Sequence, residues 1–569
     1  RNNFTIVADD EDNNLHFQDA EVVSAAVSVN PVLNQQKIYL DAYKQETGPG
    51  GSSYPKAIEA SNNQIYNGTL IWNFSGHGGP SRLAEETVLD QQIIDSWKND
   101  NRLPLFVTAT CDFAPYDNPA ANSIGENLLL RPQTGAIALM TTTRLVFAYS
   151  NRLINDNYMQ YAMEELPAGK HRSLGEAVKE AKNYTYQTSS DISNNRKFTL
   201  LGDPALTLAF PSMKVRVTKV NGIAPPMVDT LSAGEKITIE GEVTDHSGNL
   251  ATGFNGTVYP ALFDKPQTVY TLANDPGSQV AGFQVQNQPL YKGQATVNGG
   301  KFAFTFKMAK DLNQQFGAGK LSLYCENGST DGAGSFAGFI AGGSSGSTES
   351  DNKGPEIRLF LNDDLFANGG LTNQSPVLIA KLSDSSGINT AGTGIGHDIV
   401  ATLDNDTRKY FVLNDFYQGE LNDFQKGVVR FQLPAMQPGF HSLKLKAWDV
   451  VNNSGEAQID FWVANDDELQ LDHVLNYPNP FVTGTSFWFE HNKPGLPLKV
   501  QIRVMALSGK VVKSISEEII TPGTRSASIF WDGKDDFGDR LARGVYIYVL
   551  RVRLPDGDSK TTVEKLVIL

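Results

Sequence analysis

The chain has 569 residues, of which 40% are hydrophobic and 10% aromatic, so it is long enough for about three to five folded domains. It carries 48 Lys and Arg against 63 Asp and Glu, a formal charge of −15, which argues against a nucleic-acid partner for the chain as a whole. Only two cysteines occur, Cys111 and Cys325, so no disulfide framework is expected, and no stretch is typical of a membrane span or a secretion signal.

Residues 1–211 alternate strand-like and helix-like segments, which predicts an α/β domain. The short apolar runs are typical of parallel strands that are buried on both faces: FTIV, KIYL, TLIWNF, LPLFVTA and GAIALMTT. A helix is predicted over residues 88–98, where apolar residues recur every four positions, and capping boxes are predicted at Ser123 and Ser173. Together these segments predict a doubly wound, mostly parallel sheet.

From residue 212 onward the pattern changes to short alternating segments with frequent Gly, Asn, Asp and Pro turns. Such a pattern predicts all-β, immunoglobulin-like sandwich domains. We expect three of them, at 212–345, 354–466 and 469–569. The Gly/Ser-rich stretch 332–355 is typical of a linker between the first two. In the last domain the run KVQIRVMAL alternates apolar and polar residues, as a half-buried strand requires.

Two side chains with catalytic chemistry follow predicted core strands. His77 follows TLIWNF within the sequence SGHGG, and Cys111 follows LPLFVTAT. If a helix crosses between the two strands, the strands are parallel and both side chains emerge at the edge where open α/β sheets bind ligands. A thiol needs a nearby base to become a good nucleophile at neutral pH, and an imidazole can take up and return that proton. The pair therefore predicts a nucleophile and a general base.

Glycine next to the histidine supports the same chemistry. Gly78 leaves its backbone N–H unobstructed, so with the N–H of Cys111 it is predicted to form an oxyanion hole. The alternative is structural: a lone cysteine usually fills a core, and Gly-His-Gly is usually a turn. We predict no cofactor and no required metal, because His246 and His473 lack metal-ligand spacing and DGKDDFGD does not match an EF-hand loop.

The chain resembles the gingipain-type cysteine peptidases, which have a caspase-like fold, in three blocks that occur in the same order: NFSGHGG, LPLFVTATC and FTLLGDPAL. The resemblance covers residues 1 to about 210, and it implies that His77 is the general base and Cys111 the nucleophile. It also implies an upstream acidic residue that orients the histidine. In VADDED, Asp10 is preferred over its acidic neighbours Asp9, Glu11 and Asp12. Because the chain opens within a strand, we expect the first half of the catalytic module upstream, in a longer protein.

Two features depart from the secreted Arg- and Lys-specific members of that family. Thr110 precedes the cysteine where the pattern usually has alanine, and the loop CDFAPYDNP differs from theirs. This loop resembles instead the branch of the family that serves as the type IX secretion sortase of Bacteroidetes. Two further segments resemble the same branch: MTTTRLVFAYSN and GPEIRLFLNDDLF. In the tail, LNYPNPFVTGTSFWFE and WDGKDDFGDRLARGVYIYVLRV resemble the C-terminal signal domain recognised by type IX secretion.

The resemblance implies a cysteine endopeptidase and transpeptidase on the outer-membrane surface of a Gram-negative, Bacteroidetes-type bacterium. It would remove the C-terminal signal domain of exported cargo proteins through a thioester acyl-enzyme and transfer them to a lipopolysaccharide amine. The implied partners are those cargo proteins, an outer-membrane β-barrel shuttle protein similar to PorV, and anionic lipopolysaccharide as acceptor. Two alternatives stay open: a secreted gingipain-like endopeptidase whose tail is its own export signal, and a catalytically silent surface scaffold.

Overall fold

The computed structural model describes residues 2–49, 51–189, 191–226, 228, 230–346, 351–392, 396–465 and 467–569. The chain divides into two compact units, Arg1–Met308 with Leu312–Ser347, and Ala309–Asp311 with Thr348–Leu569. Both cysteines are free thiols. Across the described residues, no helix has the length and apolar character needed to span a bilayer.

A six-stranded sheet forms the centre of the amino-terminal region. Its strands and the short hairpins beside it are β1 (Asn3–Ala8), β2 (Asn34–Tyr39), β3 (Glu46–Gly48), β4 (Gly51–Ser53), β5 (Ile71–Ser75), β6 (Arg82–Leu83), β7 (Leu89–Asp90), β8 (Leu105–Ala109), β9 (Ala138–Thr142) and β10 (Phe198–Leu201). The order in the sheet is β10–β9–β8–β5–β1–β2, and only β10 runs antiparallel to its neighbour. The five predicted apolar runs coincide with β1, β2, β5, β8 and β9, which confirms the mostly parallel sheet.

Seven α-helices accompany these strands in the described part of this region. They are α1 (Leu15–Ser28), α2 (Pro55–Asn67), α3 (Gln91–Ser96), α4 (Ile124–Leu130), α5 (Ala148–Met163), α6 (Leu174–Ser189) and α7 (Ile192–Lys197). The predicted capping boxes are confirmed: the hydroxyl of Ser123 accepts the N–H of Glu126 at 3.2 Å, and that of Ser173 accepts the N–H of Glu176 at 3.3 Å. These contacts fix the first turns of α4 and α6.

The helix predicted over residues 88–98 is shorter in the structure. Asp90 has an extended backbone, and its carboxylate accepts the N–H of Ile93 at 2.8 Å, so α3 begins only after it. Leu89 belongs to strand β7, and Trp97 is extended. A side-chain cap thus decides the start of the helix, although the apolar spacing continues beyond both ends.

Strands follow from residue 213. They are β11 (Met213–Val220), β12 (Leu231–Ala233), β13 (Lys236–Thr244), β14 (Gly256–Phe263), β15 (Gln267–Tyr270), β16 (Gly282–Val285), β17 (Pro289–Lys292), β18 (Ala295–Asn298), β19 (Lys301–Lys307), β20 (Gly317–Ala318), β21 (Lys320–Glu326), β22 (Asp331–Phe336) and β23 (Ile340–Ser344). Eight form one sheet in the order β17–β14–β18–β19–β13–β11–β22–β21, and β14 also pairs with β21, so the sheet closes on itself. The sequence predicts a two-sheet sandwich here. Alternating burial is common to closed and two-layered sheets, so the pattern does not distinguish them.

The β15–β16 hairpin packs against the amino-terminal sheet. Phe283 of β16 is only 4% exposed, and its ring lies 4.7 Å from that of Tyr39 and 5.8 Å from that of Phe17. The side chain of Asn14 donates to the carbonyl of Gln279 at 2.8 Å and accepts its N–H at 2.6 Å. Residues 1–211 and 212–345, expected as separate domains, are therefore parts of one compact unit.

The Gly/Ser-rich stretch 332–355 is not simply a linker. Its first part belongs to β22 and β23, while residues 347–350 lie outside the described residues. A Cβ added at Gly334 would lie 1.8 Å from the carbonyl oxygen of Val215 in β11. The glycine is therefore required by a close strand approach, which composition alone cannot separate from linker flexibility.

The second unit contains two all-β regions. Their strands are β24 (Glu356–Leu361), β25 (Leu371–Thr372), β26 (Val377–Ser383), β27 (Val400–Leu403), β28 (Tyr410–Val412), β29 (Tyr417–Glu420), β30 (Asp423–Gln432), β31 (Gly439–Trp448), β32 (Ser454–Val463), β33 (Leu471–Tyr477), β34 (Thr485–His491), β35 (Leu498–Ala506), β36 (Val511–Ile519), β37 (Ile529–Trp531), β38 (Gly544–Arg553) and β39 (Ser559–Ile568). The sheets are β24–β26–β30–β29 with β25–β32–β31–β27–β28, and β33–β34–β37 with β36–β35–β38–β39. In the last region Phe487 and Trp531 of one sheet share a core with Ile502 and Tyr548 of the other, as in a sandwich. Residue 466, a predicted boundary, lies outside the described residues.

Candidate active site

Three adjacent parallel strands end at the same edge of the amino-terminal sheet. Ala8 of β1 is aligned with Ser75 of β5, and Ser75 is aligned with Ala109 of β8. His77 and Cys111 each lie two residues beyond this register. The structure therefore brings the two predicted catalytic residues to neighbouring strand ends, with the acidic loop after β1 beside them.

Glycines frame His77 because its surroundings leave no space for a side chain. A Cβ at Gly76 would lie 2.4 Å from the Cβ of Asp9, and one at Gly78 would lie 2.7 Å from the hydroxyl oxygen of Thr110. Contacts that short do not occur between real side chains, so only glycine fits at these positions. The loops after β1 and β8 thereby press directly on the loop that carries the histidine.

The loop after β1 holds His77 by both its backbone and its ring. The backbone N–H of His77 donates to Oδ2 of Asp9 at 2.7 Å, and ring nitrogen Nε2 lies 3.0 Å from Oδ2 of Asp12. The ring of His16 meets that of His77 edge-on, with centroids 5.0 Å apart. The carboxylate that contacts the imidazole is thus that of Asp12, not that of Asp10.

Asp10, the residue preferred from the sequence, has a different partner. It is 3% exposed, and its carboxylate accepts a hydrogen bond from the hydroxyl of Tyr54. Burial raises the pKa of Asp10 to about 6, although the Tyr54 bond lowers it. Asp10 therefore belongs to the buried support of the loop, and it does not contact the histidine ring.

The backbone explains why Asp12 reaches the ring. Asp12, Asn13 and Asn14 all have a left-handed conformation, with φ of 61°, 57° and 66°. Asp and Asn are the residues other than glycine that adopt it most readily. The three-residue turn reverses the chain just before α1 and brings the Asp12 side chain beside His77. The Asp-Asn-Asn run directly before α1 is the signal in the sequence that could have indicated this turn.

The Cys111 thiol is half-buried and contacts the loop after β9. Its sulfur accepts the N–H of Val146 at 3.4 Å and lies 3.6 Å from the Val146 carbonyl oxygen. Among the described residues, no hydrogen bond joins this sulfur to His77. The two residues are therefore neighbours by strand register, and the hydrogen bonds that the described structure shows for the sulfur are those to the Val146 backbone.

The two predicted oxyanion donors lie on the same two strand-end loops. Gly78, in the loop after β5, packs against Thr110, the residue directly before Cys111 in the loop after β8. Within the described parts of the chain, neither the N–H of Gly78 nor that of Cys111 has a hydrogen-bond acceptor. Neither N–H is therefore already occupied by a hydrogen bond within the described structure.

A group of carboxylates underlies the loop after β1. Oxygens of Asp9, Asp10, Glu11 and Glu86 lie within 4.8 Å of one another, and each residue has one buried oxygen without a partner. Burial raises the pKa of Asp9 well above its usual value and that of Glu86 to about 7. Carboxylates this close are all ionised only if a cation balances their charge; without one, at least one of them keeps a proton. Two further groups have the composition of a cation site: Asp12, His16 and His77; and Asp351, Asp384 and Asp449.

The loops after β8 and β9 are joined beside the cysteine. The guanidinium of Arg144 makes two 2.7 Å hydrogen bonds to the carboxylate of Asp117. On either side of Val146, the side chains of Leu145 and Phe147 are 69% and 73% exposed. Large apolar side chains exposed next to a candidate nucleophile are a surface on which a substrate can bind.

Comparison with known proteins gives one family. Residues 1–209 match Peptidase family C25. No curated protein matches the chain.

Solved structures of similar proteins include dimeric latent PorU from Porphyromonas gingivalis, which is 27% identical with a TM-score of 0.31. That match covers 77% of this chain and 41% of the PorU chain, so this chain spans less than half the length of that PorU. The Arg-specific cysteine proteinase gingipain R (RgpB) is 16% identical with a TM-score of 0.32, covering 60% of this chain and 67% of its own. The complex of Porphyromonas gingivalis RgpB pro- and mature domains is 17% identical with a TM-score of 0.32, covering 58% and 67%.

Proposed function

We propose that Cys111 is the nucleophile and His77 the general base of a cysteine peptidase site within residues 1–209, the part of the chain that matches peptidase family C25. The observation that carries this proposal is the register of β5 and β8, which aligns Ser75 with Ala109. A thiol and an imidazole two residues beyond that pair belong to adjacent parallel strands at one sheet edge. This is the arrangement that nucleophilic catalysis by a cysteine needs.

The proposed first half-reaction forms a thioester. Nδ1 of His77 takes the proton of the Cys111 thiol, and the sulfur attacks the carbonyl carbon of the scissile peptide bond. The N–H groups of Gly78 and Cys111 donate to the oxyanion of the tetrahedral intermediate. The intermediate collapses when the C–N bond breaks and His77 returns the proton to the leaving amine. The acyl group stays on the sulfur.

Asp12 replaces Asp10 in the proposed orienting role. Nε2 of His77 lies 3.0 Å from the Asp12 carboxylate, and we assign the proton of the neutral ring to Nε2, which leaves Nδ1 as the acceptor of the thiol proton. Once the ring is protonated, the negative charge of Asp12 stabilises it. The Val146 N–H, 3.4 Å from the sulfur, stabilises the thiolate in the resting enzyme.

For the second half-reaction we propose transfer to an amine, as in the type IX secretion sortases that the loop after Cys111 and the tail resemble. A thioester reacts readily with amines, and an amine held beside it has a large effective concentration over bulk water. The proposed substrates are exported cargo proteins with C-terminal signal domains, the acceptor is a lipopolysaccharide amine, and the location is the outer-membrane surface beside a PorV-like shuttle protein. Residues 469–569, which resemble a signal domain, are proposed as the docking element.

The surface beside Cys111 favours an apolar substrate segment over an Arg or Lys side chain. Leu145 and Phe147 are exposed on both sides of the Val146 backbone that contacts the sulfur. Asp117, an acidic side chain of the adjoining loop, is already bound in two hydrogen bonds by Arg144. We therefore propose that basic-residue specificity is not shared with the secreted gingipains.

The alternatives make different products. A secreted endopeptidase of the same chemistry would release a free carboxylate, and a silent scaffold would not form a thioester. The test is to incubate the purified chain with a tailed substrate and excess small amine, and to weigh the products. An amide at the new C-terminus supports transfer, a carboxylate alone across several amines supports a hydrolase, and no product from a folded chain supports the scaffold. Cys111→Ala is the control that must abolish either product.

A further inference from the structure

Two further potential ligands lie beside Nε2 of the His77 ring. Nε2 of His77 lies 3.0 Å from Oδ2 of Asp12, and Nε2 of His16 lies 3.5 Å from the same oxygen. All three atoms lie within 4.8 Å of one another. Two imidazole nitrogens and a carboxylate oxygen are a donor set that zinc commonly takes in proteins.

His16 is the observation that separates this group from an ordinary His–Asp contact. Its side chain is buried, at 4% residue exposure, and in the described structure its Nε2 makes no hydrogen bond, although the Asp12 carboxylate lies 3.5 Å away. A buried polar atom without a partner is costly and needs a reason. A neutral imidazole has a free lone pair on one ring nitrogen and is a common metal ligand, so the buried Nε2 of His16 is suited to that role.

The spacing also fits. In a tetrahedral zinc site with ligand bonds of about 2.0–2.1 Å, neighbouring ligand atoms are about 3.3 Å apart. The separations of 3.0 Å and 3.5 Å from the Asp12 oxygen fall on either side of this value. Asp12 and His77 have half-exposed side chains, so an ion can enter from solvent and keep a water molecule as its fourth ligand.

We propose that Asp12, His16 and His77 form a zinc-type inhibitory site, at which a transition-metal ion switches the peptidase off. A metal on Nε2 of His77 leaves the remaining ring proton on Nδ1. The ring then has no free lone pair to accept the Cys111 proton, and Asp12 is drawn from the ring to the ion. The inhibitory effect rests on the proposed function, whereas the binding of the metal does not.

The binding test uses the full chain carrying Cys111→Ala, which removes the thiol as a competing ligand. Zinc is titrated calorimetrically at neutral pH with calcium in excess, so that oxygen-only carboxylate groups are occupied by the harder ion. We expect one zinc ion per chain and, after His16→Gln, an affinity at least about 100-fold weaker, because even outer-shell changes cost about 10–100-fold. His441→Gln is the matched control, since His441 contacts Asp404 without a second histidine within reach in the described structure.

If His16→Gln does not fold, judged by its circular dichroism and thermal transition, Asp12→Asn changes an exposed ligand with little effect on packing. Zinc binding that is unaffected by either substitution would overturn the site, and so would binding that is present in the unsubstituted chain but lost with Cys111→Ala. Unsubstituted chain, assayed against its own metal-free rate, is expected to lose activity at the zinc concentration that half-saturates the site. A chain with no peptidase activity would refute the proposed function but leave the binding result intact.

Discussion

The assignment of Asp12 as the residue that orients His77 can be tested directly against the choice of Asp10. The change is Asp12→Asn, which removes the charge beside Nε2 with little change in volume. Asp10→Asn, two residues earlier in the chain, is the matched control. Its amide oxygen can still accept the Tyr54 hydroxyl, and its side chain does not contact the ring.

The expected size of the effect follows from exposure. The Asp12 and His77 side chains are each 50% exposed, and their atoms are 3.0 Å apart. A hydrogen bond to a charged group contributes about 1.5–3 kcal/mol when shielded, but an exposed ion pair contributes about 0–1 kcal/mol. We therefore expect a loss of about 1 kcal/mol, which is about a fivefold fall in rate. A buried triad aspartate, by comparison, is worth about 10⁴-fold.

The assay is the rate at which iodoacetamide alkylates Cys111, which needs no knowledge of the natural substrate. Cys325 does not interfere, because it is fully buried and its pKa is raised to about 12. Asp12→Asn is expected to slow the alkylation at neutral pH about fivefold, since a poorly oriented base yields less thiolate, and Asp10→Asn is expected to change it less than twofold. A normal rate in Asp12→Asn combined with a slow one in Asp10→Asn would refute the reasoning and return the role to Asp10.

Three further predictions concern the nucleophile, the substrate surface and stability. Cys111→Ala and His77→Ala are each expected to slow peptide cleavage by at least about 100-fold, and the double variant no further; losses that multiply would show that the two do not act as a pair. Phe147→Ser removes an apolar side chain that is 73% exposed, so the unfolding midpoint should not change. We expect kcat/KM to fall about tenfold, because the substrate loses about 1–2 kcal/mol of apolar burial against this side chain. Equal kcat/KM values would exclude this surface from substrate binding. Burial raises the pKa of Asp19 to about 6 from 3.8, so the folded chain keeps a proton that the unfolded chain has lost, and the free energy of unfolding should fall as pH rises through this window. In Asp19→Asn this fall, up to about 3 kcal/mol for a shift of about two units, should disappear, and parallel pH profiles of chemical denaturation would contradict it.

The parts of the site that depend on strand periodicity could be predicted from the sequence. His77 and Cys111 follow long apolar runs, and parallel strands joined by a crossover helix must end at the same edge. Asp12 could not be chosen from its acidic neighbours in the same way. Four consecutive carboxylates have the same composition whichever one reaches the ring. The left-handed backbone from Asp12 to Asn14 decides it, and the contacts that favour this conformation come from residues far along the chain.

The role of those distant residues changes what counts as the catalytic domain. On one side of Asp12, the hydroxyl of Ser278 donates to the carbonyl oxygen of Asp10 at 3.1 Å, and on the other, Asn14 exchanges two hydrogen bonds with Gln279. After the neighbouring strand β2, the carboxylate of Asp41 accepts two backbone N–H groups of the 271–281 segment, at 2.7 Å and 3.1 Å. Each such hydrogen bond contributes on the order of 1 kcal/mol to stability, which is about the size of the effect that we expect Asp12 to have on His77. The position of the proposed orienting carboxylate is therefore set in part from a β-region beyond residue 211, and the proposed catalytic unit includes that region.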